Sequence, residues 1–211
     1  MTDVVALIDG FNVYHALDES RYAGHPYRKY KWINYWKLAE CFVPKSDIVS
    51  EVRWFTAEIP REWRGGDKKR ERHLRLIRAN QDQGVLIVRG RFRPVVRTCS
   101  KGHKYSTYEE KRTDVAIAVA LVSLAYQKAF NKVILMTADS DVIPAIEEAK
   151  RVYPSGIILN VVPIERPAKA LKSCVDQQIA MRVRHLQASR FSDTVILSSG
   201  KSVLCPSGWK A

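Results

Sequence analysis

Nothing in this chain equips it to cross a membrane. Its longest apolar stretch, 115–122 followed by Ser123 and Leu124, falls well short of the roughly 20 residues that span a bilayer as a helix. No secretory leader is expected from the first residues either. Met1-Thr2-Asp3 carries no basic n-region, and the apolar run 4–8 is too short for an h-region. Cysteine is scarce and scattered. Cys41, Cys99, Cys174 and Cys205 form no CxxC pair, so a zinc site built from all four thiolates has no local support. Without a leader, the even count argues for free thiols in a reducing cytoplasm rather than for disulfides. No internal repeat or low-complexity block occurs. Acidic residues are outnumbered, 22 Asp+Glu against 35 Lys+Arg, for a net charge of +13. That excess favours nucleic acid or another anionic surface as partner; the plain alternative is a soluble protein that is simply basic.

What is present suits one globular unit. With 46% hydrophobic residues, 211 positions are enough for one packed core and too few for two ordinary domains. Short apolar runs at 4–8, 51–59, 85–88, 132–137 and 156–162 predict strands. Helices are expected over 33–42, 62–83 (closed by Gly84), 113–127 and 142–151, with shorter ones over 166–171 and 176–186. Gly10 reads as a tight turn after the first strand, residues 18–31 as a loop, 89–111 as a basic strand pair turning at Ser100-Lys101-Gly102, and 195–204 as a hairpin or arm. Because 113–127 is apolar nearly all round, it is predicted to be a buried helix. Strands alternating with helices imply an α/β fold with a mainly parallel sheet.

Four aspartates stand out against this pattern. Asp9 ends VVALID, Asp139 and Asp141 end VILMTADSD, and Asp114 opens the apolar helix. Open α/β sheets place ligands just beyond the carboxyl ends of their strands. Three of them taken alone have an ordinary structural role: Asp141 or Asp114 as a helix cap, Asp139 as a turn residue. Taken together they predict one acidic cleft. Several carboxylates cannot stay ionised there without a cation, and hard oxygen ligands suit Mg²⁺ or Mn²⁺. Such an ion activates water and stabilises charge on a phosphoryl oxygen. Asn12 is placed to hydrogen-bond a bound water or a phosphate, or else is a turn residue. Thr137 and Ser140 are weaker candidates for the same support. An acidic cleft in a basic protein points to a metal-dependent nuclease.

At these residues the chain resembles a known family. IDGFN, EEKRTDVAIAVALV and TADSDVIPAIEEAK together resemble the NYN domain, a branch of the PIN-like ribonuclease superfamily. YSTYEEKRTDV and VVPIERPAKALKSCVDQ extend the likeness to bacterial NYN-domain proteins over roughly 3–187. The resemblance implies a PIN-like Rossmannoid three-layer fold, a Mg²⁺- or Mn²⁺-dependent site and RNA as substrate. Asp9, Asn12, Asp114, Asp139 and Asp141 fall on the family's acidic and polar site positions. The domain is then expected over 1–187, with the basic insertion around 89–111 and a tail or arm over 188–211. Two departures stand out. Many relatives carry a further Asp six residues after the helix aspartate, where this chain has Ala120, which puts a full metal set in doubt. Some relatives carry paired cysteines in the insertion, where Cys99 and His103 alone are too little for zinc.

Two basic clusters could hold the RNA. One is the helix region with Arg61, Arg64, Lys68, Lys69, Arg70, Arg72, Arg75 and Arg78, for which a solvated face is an equal reading. The other has Arg89, Arg91, Arg93, Arg97, Lys101 and Lys104, with Lys111 beyond them and with Phe92, His103, Tyr105 and Tyr108 interleaved. Cations there would meet phosphates and aromatics would meet unstacked bases. Arg166 and Lys169, with Lys172, follow the last main strand and are placed to grip phosphate beside the acids. His15 and His73 have no telling sequence context. The leading expectation is a metal-dependent endoribonuclease. The alternatives are a non-catalytic RNA-binding module, or a phosphatase or Toprim-like phosphoryl-transfer domain. Against that last pair, no second Asp lies two residues past Asp9 and no Glu follows the first strand. A homo-oligomer is compatible with the sequence, which gives no oligomeric state.

Overall fold

The computed structural model of the chain describes residues 2–18, 26–63, 66–100 and 102–210. A seven-stranded sheet runs through its middle in the order β4-β3-β2-β1-β5-β6-β7. The strands are β1 (Asp3–Asp9), β2 (Ile48–Ala57), β3 (Leu86–Thr98), β4 (Lys104–Lys111), β5 (Lys132–Met136), β6 (Ile157–Val162) and β7 (Gln177–Ala180). All neighbours pair in parallel except β3 and β4. Helices α1 (Gly10–Asp18), α2 (Tyr35–Glu40), α3 (Gly66–Asp82), α4 (Thr113–Gln127), α5 (Ile143–Val152), α6 (Lys169–Lys172) and α7 (Val183–Ser189) complete the main body.

The alternation of β1 explains the three layers. Val4, Ala6 and Ile8 join one core cluster with α1, α2 and α3, while Val5 and Leu7 join the other with α4 and α5. A strand buried on both faces has no polar side, so it reads as a continuous apolar run. Each such Leu or Ile contributes roughly 1.5–3 kcal/mol by leaving water. From β1 the chain builds outward through β2 and β3 on one side and through β5, β6 and β7 on the other. The direction of winding therefore switches between β1 and β5, and in open α/β sheets the crevice at that point is where ligands bind.

Four sequence expectations need correcting. First, Gly10 opens helix α1 directly rather than a tight turn, so the helix begins where the strand stops. A Cβ at Gly10 would lie 2.1 Å from Trp54 Nε1 and 2.6 Å from Phe55 O; only glycine lets the helix start this close to β2. Second, 177–180 is a parallel strand at the sheet edge, not the start of a helix. It is short and polar because an edge strand buries little. Third, β3 does not stop at 88. It pairs with β2 through Gly90 and then with β4 from Arg91 to Thr98, so the basic insertion is one strand changing partners. Fourth, α4 is not buried all round. Ile117, Leu121 and Leu124 enter the core, whereas Val115, Val119 and Tyr126 are exposed.

Beyond α7 the chain forms a hairpin of β8 (Thr194–Ile196) and β9 (Ser202–Leu204) and ends in a 3₁₀ turn at Ser207–Trp209. Phe191, Val195, Val203, Cys205 and Trp209 are buried against the same core as α2 and α3. The expected loop over 18–31 ends in a 3₁₀ turn at Arg28–Lys31, and its stretch 19–25 lies outside the described residues. Among the described residues no helix is long and apolar enough to cross a membrane. All four cysteines are free thiols.

Candidate active site

The switch point holds a cleft of about 390 Å³ lined by Asp9, Phe11, Asn12, His15, Glu110, Asp114, Asp139 and Arg166. Three elements deliver its aspartates: the end of β1, the first turn of α4 and the loop after β5. Asp9 is only 3% exposed and is held from both sides. The Asn12 N–H donates to its Oδ1 at 2.9 Å, and the Thr137 hydroxyl donates to its Oδ2 at 2.8 Å. Asn12 ties the two strand ends together, its Oδ1 accepting from the Ala138 N–H at 3.1 Å. Thr137 in turn accepts from the Asp139 N–H, and Asp139 Oδ1 accepts from the Asp141 N–H. Beneath them, buried Asn160 donates to the carbonyls of Leu135 and Thr137 and accepts from Gln178.

Burial pushes the Asp9 carboxyl up to about 6, against the pull of its two hydrogen bonds, and the charges of Asp114 and Asp139 push it the same way. Asp114 is also raised, by partial burial and then by Asp139 and Asp141. These acids are near enough to feel one another, which is the electrostatic signature of a site that gains from a cation. Among the described residues, no three His, Cys, Asp or Glu side chains converge as a ready cage. Mg²⁺ does not require such a cage, since it keeps several waters and takes one or two carboxylates. The oxygen-only donors Asp9, Asp114 and Asp139 match such a hard ion.

Of the predicted acidic set, Asp9, Asp114 and Asp139 line the cleft together with Asn12. Asp141 does not line it. It lies exposed beside the cleft, its N–H spent on Asp139 and its charge felt by Asp114. Asp114 is exposed rather than turned against the sheet. Ala120 is buried with Ile117 and Leu121 and does not reach the cleft.

Among the described basic candidates, Arg166 alone lines the cleft. Lys169 is exposed at the start of α6. Arg64 and Lys101 lie outside the described residues. Arg89, Arg91 and Arg93 are exposed, and strict alternation puts them on the face opposite Phe92. Phe92 stands across from Glu110, which lines the cleft, so this arginine row looks away from it. Arg89 pairs with Glu58 at 3.4 Å, while Arg97 and Lys111 both pair with Glu109 at 2.7 and 2.8 Å. Lys104 is exposed on β4.

Two lining residues, His15 and Glu110, were not among the predicted site residues. His15 is one turn beyond Phe11 on α1, a relation visible only once α1 is known to be a helix. Glu110 accepts from the Thr113 N–H at 3.1 Å and from its hydroxyl. The spacing Glu-x-x-Thr, just before the aspartate of an apolar helix, was its available clue. Burial raises the Glu110 carboxyl above the usual range.

Comparison with known proteins supplies a family. The family model described as NYN domain matches residues 3–182. Among solved structures, a protein of unknown function from Vibrio parahaemolyticus matches with a TM-score of 0.56 at 16% identity, over 86% of this chain and 93% of that one. At that identity the likeness bears on the fold alone. Comparison with curated proteins gives no match.

Proposed function

The chain belongs to the NYN domain family, a nuclease-like group, and on that footing we propose that it is a metal-dependent endoribonuclease. The observation that carries this reading is the convergence of Asp9, Asp114, Asp139 and Arg166 on one cleft at the sheet's switch point. Asp9, Asp114 and Asp139 would hold Mg²⁺ or Mn²⁺, with Asp141 in support. The bound ion supplies an activated water and a counter-charge for the phosphoryl oxygens. The protein's own groups do the positioning. Asn12 and Thr137 fix both oxygens of Asp9, so its carboxylate has no freedom to lose when substrate arrives. Arg166 brings a guanidinium to the same cleft, where it would hold the phosphodiester by charge-assisted hydrogen bonds. Asp114 sits in the first turn of α4, where the helix N-terminus favours its ionised form against the neighbouring acids.

A non-catalytic RNA-binding module is the second reading. It is favoured by one observation: although Asp9, Asp114 and Asp139 line one cleft, no three His, Cys, Asp or Glu side chains among the described residues stand close enough together to hold an ion. Cleavage of labelled structured and single-stranded RNA, with Mn²⁺, Mg²⁺ or EDTA, separates the two. The nuclease reading expects cleavage that needs metal and is lost in Asp9→Asn and Asp139→Asn. Salt-sensitive binding without cleavage selects the module.

A further inference from the structure

A second and larger cavity, about 440 Å³, opens beside the acidic cleft and shares Phe11, His15 and Glu110 with it. Its character is the opposite. Aromatic side chains dominate: Phe92 meets Phe11 edge-on at 5.6 Å and Trp63 at 5.4 Å, and Trp63 lies 5.5 Å from Tyr108. Lys69 stands 4.8 Å over the Trp63 ring and Arg72 5.9 Å from the Trp209 ring. Neither cation has a carboxylate partner in the ion pairs of the described residues. Two buried donors in the lining, Trp54 Nε1 and Arg72 Nε, have no hydrogen-bond partner there. Trp54 is only 2% exposed. A buried N–H without an acceptor is costly, and few native ones go unexplained.

Aromatic faces, the cations Lys69 and Arg72 and the acceptor Glu110 together describe a ligand with a flat ring, a ring N–H and a phosphate. Its size fits the range of small-ligand pockets. We propose that this cavity is a nucleobase subsite, taking one unstacked uracil or guanine of an RNA chain whose adjacent phosphodiester lies in the acidic cleft. The placement of the phosphodiester rests on the nuclease reading; the pocket's ligand does not. Stacking on Phe92 and Trp63 would hold any base. Glu110 would accept from the ring N–H of a keto base. Adenine in a nucleotide has no ring N–H and leaves Glu110 unmet. Arg72 and Lys69 would face the attached phosphate.

Three of the pocket's walls are tryptophans, Trp54, Trp63 and Trp209, so tryptophan fluorescence of the full chain in EDTA reports occupancy directly. Titration with UMP, GMP, AMP and ribose 5-phosphate is expected to give saturable quenching by UMP or GMP, at least tenfold weaker binding of AMP, and none by ribose 5-phosphate. A short uridine oligomer should bind more tightly than UMP, because its chain continues into the cleft. Trp63→Ala should weaken UMP roughly tenfold and Trp63→Phe should restore most of the loss. No saturable binding of any nucleotide by the wild-type protein overturns the proposal. So does equal binding of ribose 5-phosphate, which would mark a mere anion site. Oligomer binding no tighter than UMP overturns the RNA placement and leaves a free-nucleotide pocket. Absence of metal-dependent RNA cleavage by the wild-type protein, with UMP binding intact, counts against the nuclease reading and not against the pocket.

Discussion

The acidic cleft and the aromatic cavity share a wall, yet they are assembled differently. The cleft draws its acids from two strand ends and one helix start, places where any α/β fold gathers side chains. The cavity draws on α1, β2, α3, the β3–β4 ribbon and the C-terminal Trp209, elements with nothing in common but their final position. One is a consequence of topology and the other of packing. The difference shows in their electrostatics as well. In the cleft, burial raises acids, with Asp9 at about 6. In the cavity it lowers bases, with His73 pushed down to about 4 and Lys31 to about 8 despite its ion pair with Asp18.

The largest effect should come from the cleft alone. Asp139→Asn is expected to reduce metal-dependent RNA cleavage by roughly 10²–10⁴-fold, read as initial rates with Mn²⁺, while leaving the aromatic cavity's nucleotide binding intact. Loss of both functions would mean the two pockets are one unit.

Next comes pH, where the two pockets pull in opposite directions. Asp9 has a raised carboxyl, so its contribution to the metal-free protein is fully present below about 3.8 and is lost as pH rises through about 6. His73 has a lowered pKa, so its contribution is present above about 6.5 and is lost as pH falls toward about 4. Each amounts to about 3 kcal/mol at most, and they oppose one another between those limits. Denaturant melts of metal-free protein at pH 4 and pH 7 should therefore differ little through these two groups. His73→Gln should leave a protein that gains stability on acidification, and Asp9→Asn one that loses it. Like slopes in both variants would break the contrast.

Gly10→Ala strikes both pockets at once, since its Cβ would fall 2.1 Å from Trp54 Nε1. We expect a loss of about 1–3 kcal/mol in chemical denaturation, with impaired cleavage and nucleotide binding together. The smallest effect should come from neutralising Arg89, Arg91 and Arg93 to Gln. They face away from both pockets, so long-RNA affinity should fall several-fold at low salt with a shallower salt slope, and UMP binding should not change.

Much of the fold could be read from particular residues. The apolar runs of β1, β5 and β6 are buried on both faces, and such strands announce themselves without any alternation to interpret. The meeting of Asp9, Asp114 and Asp139 in one cleft was legible because each is a charge at one edge of an apolar segment. Helix α1 was not, because a glycine straight after a strand reads as a turn unless one knows that Trp54 occupies the space of its Cβ. Strand β7 was missed because a short polar edge strand carries almost no periodic signal. The exposed side of α4, with Val115 and Val119, went unforeseen because hydrophobicity alone does not say where a helix's partners end.

The order of residues by itself determined the alternation of strands and helices, the basic balance and the arrival of acids at strand ends, since these are local matters of pattern and charge. Only the tertiary structure decided that Asp141 stays outside the cleft, that Glu110 and His15 enter it, and that the arginines of β3 turn away while Phe92 turns in. Those outcomes depend on how far one strand's pleat carries across a partner's register, and on which distant rings find room to pack. Both are settled only when the whole sheet closes around its core.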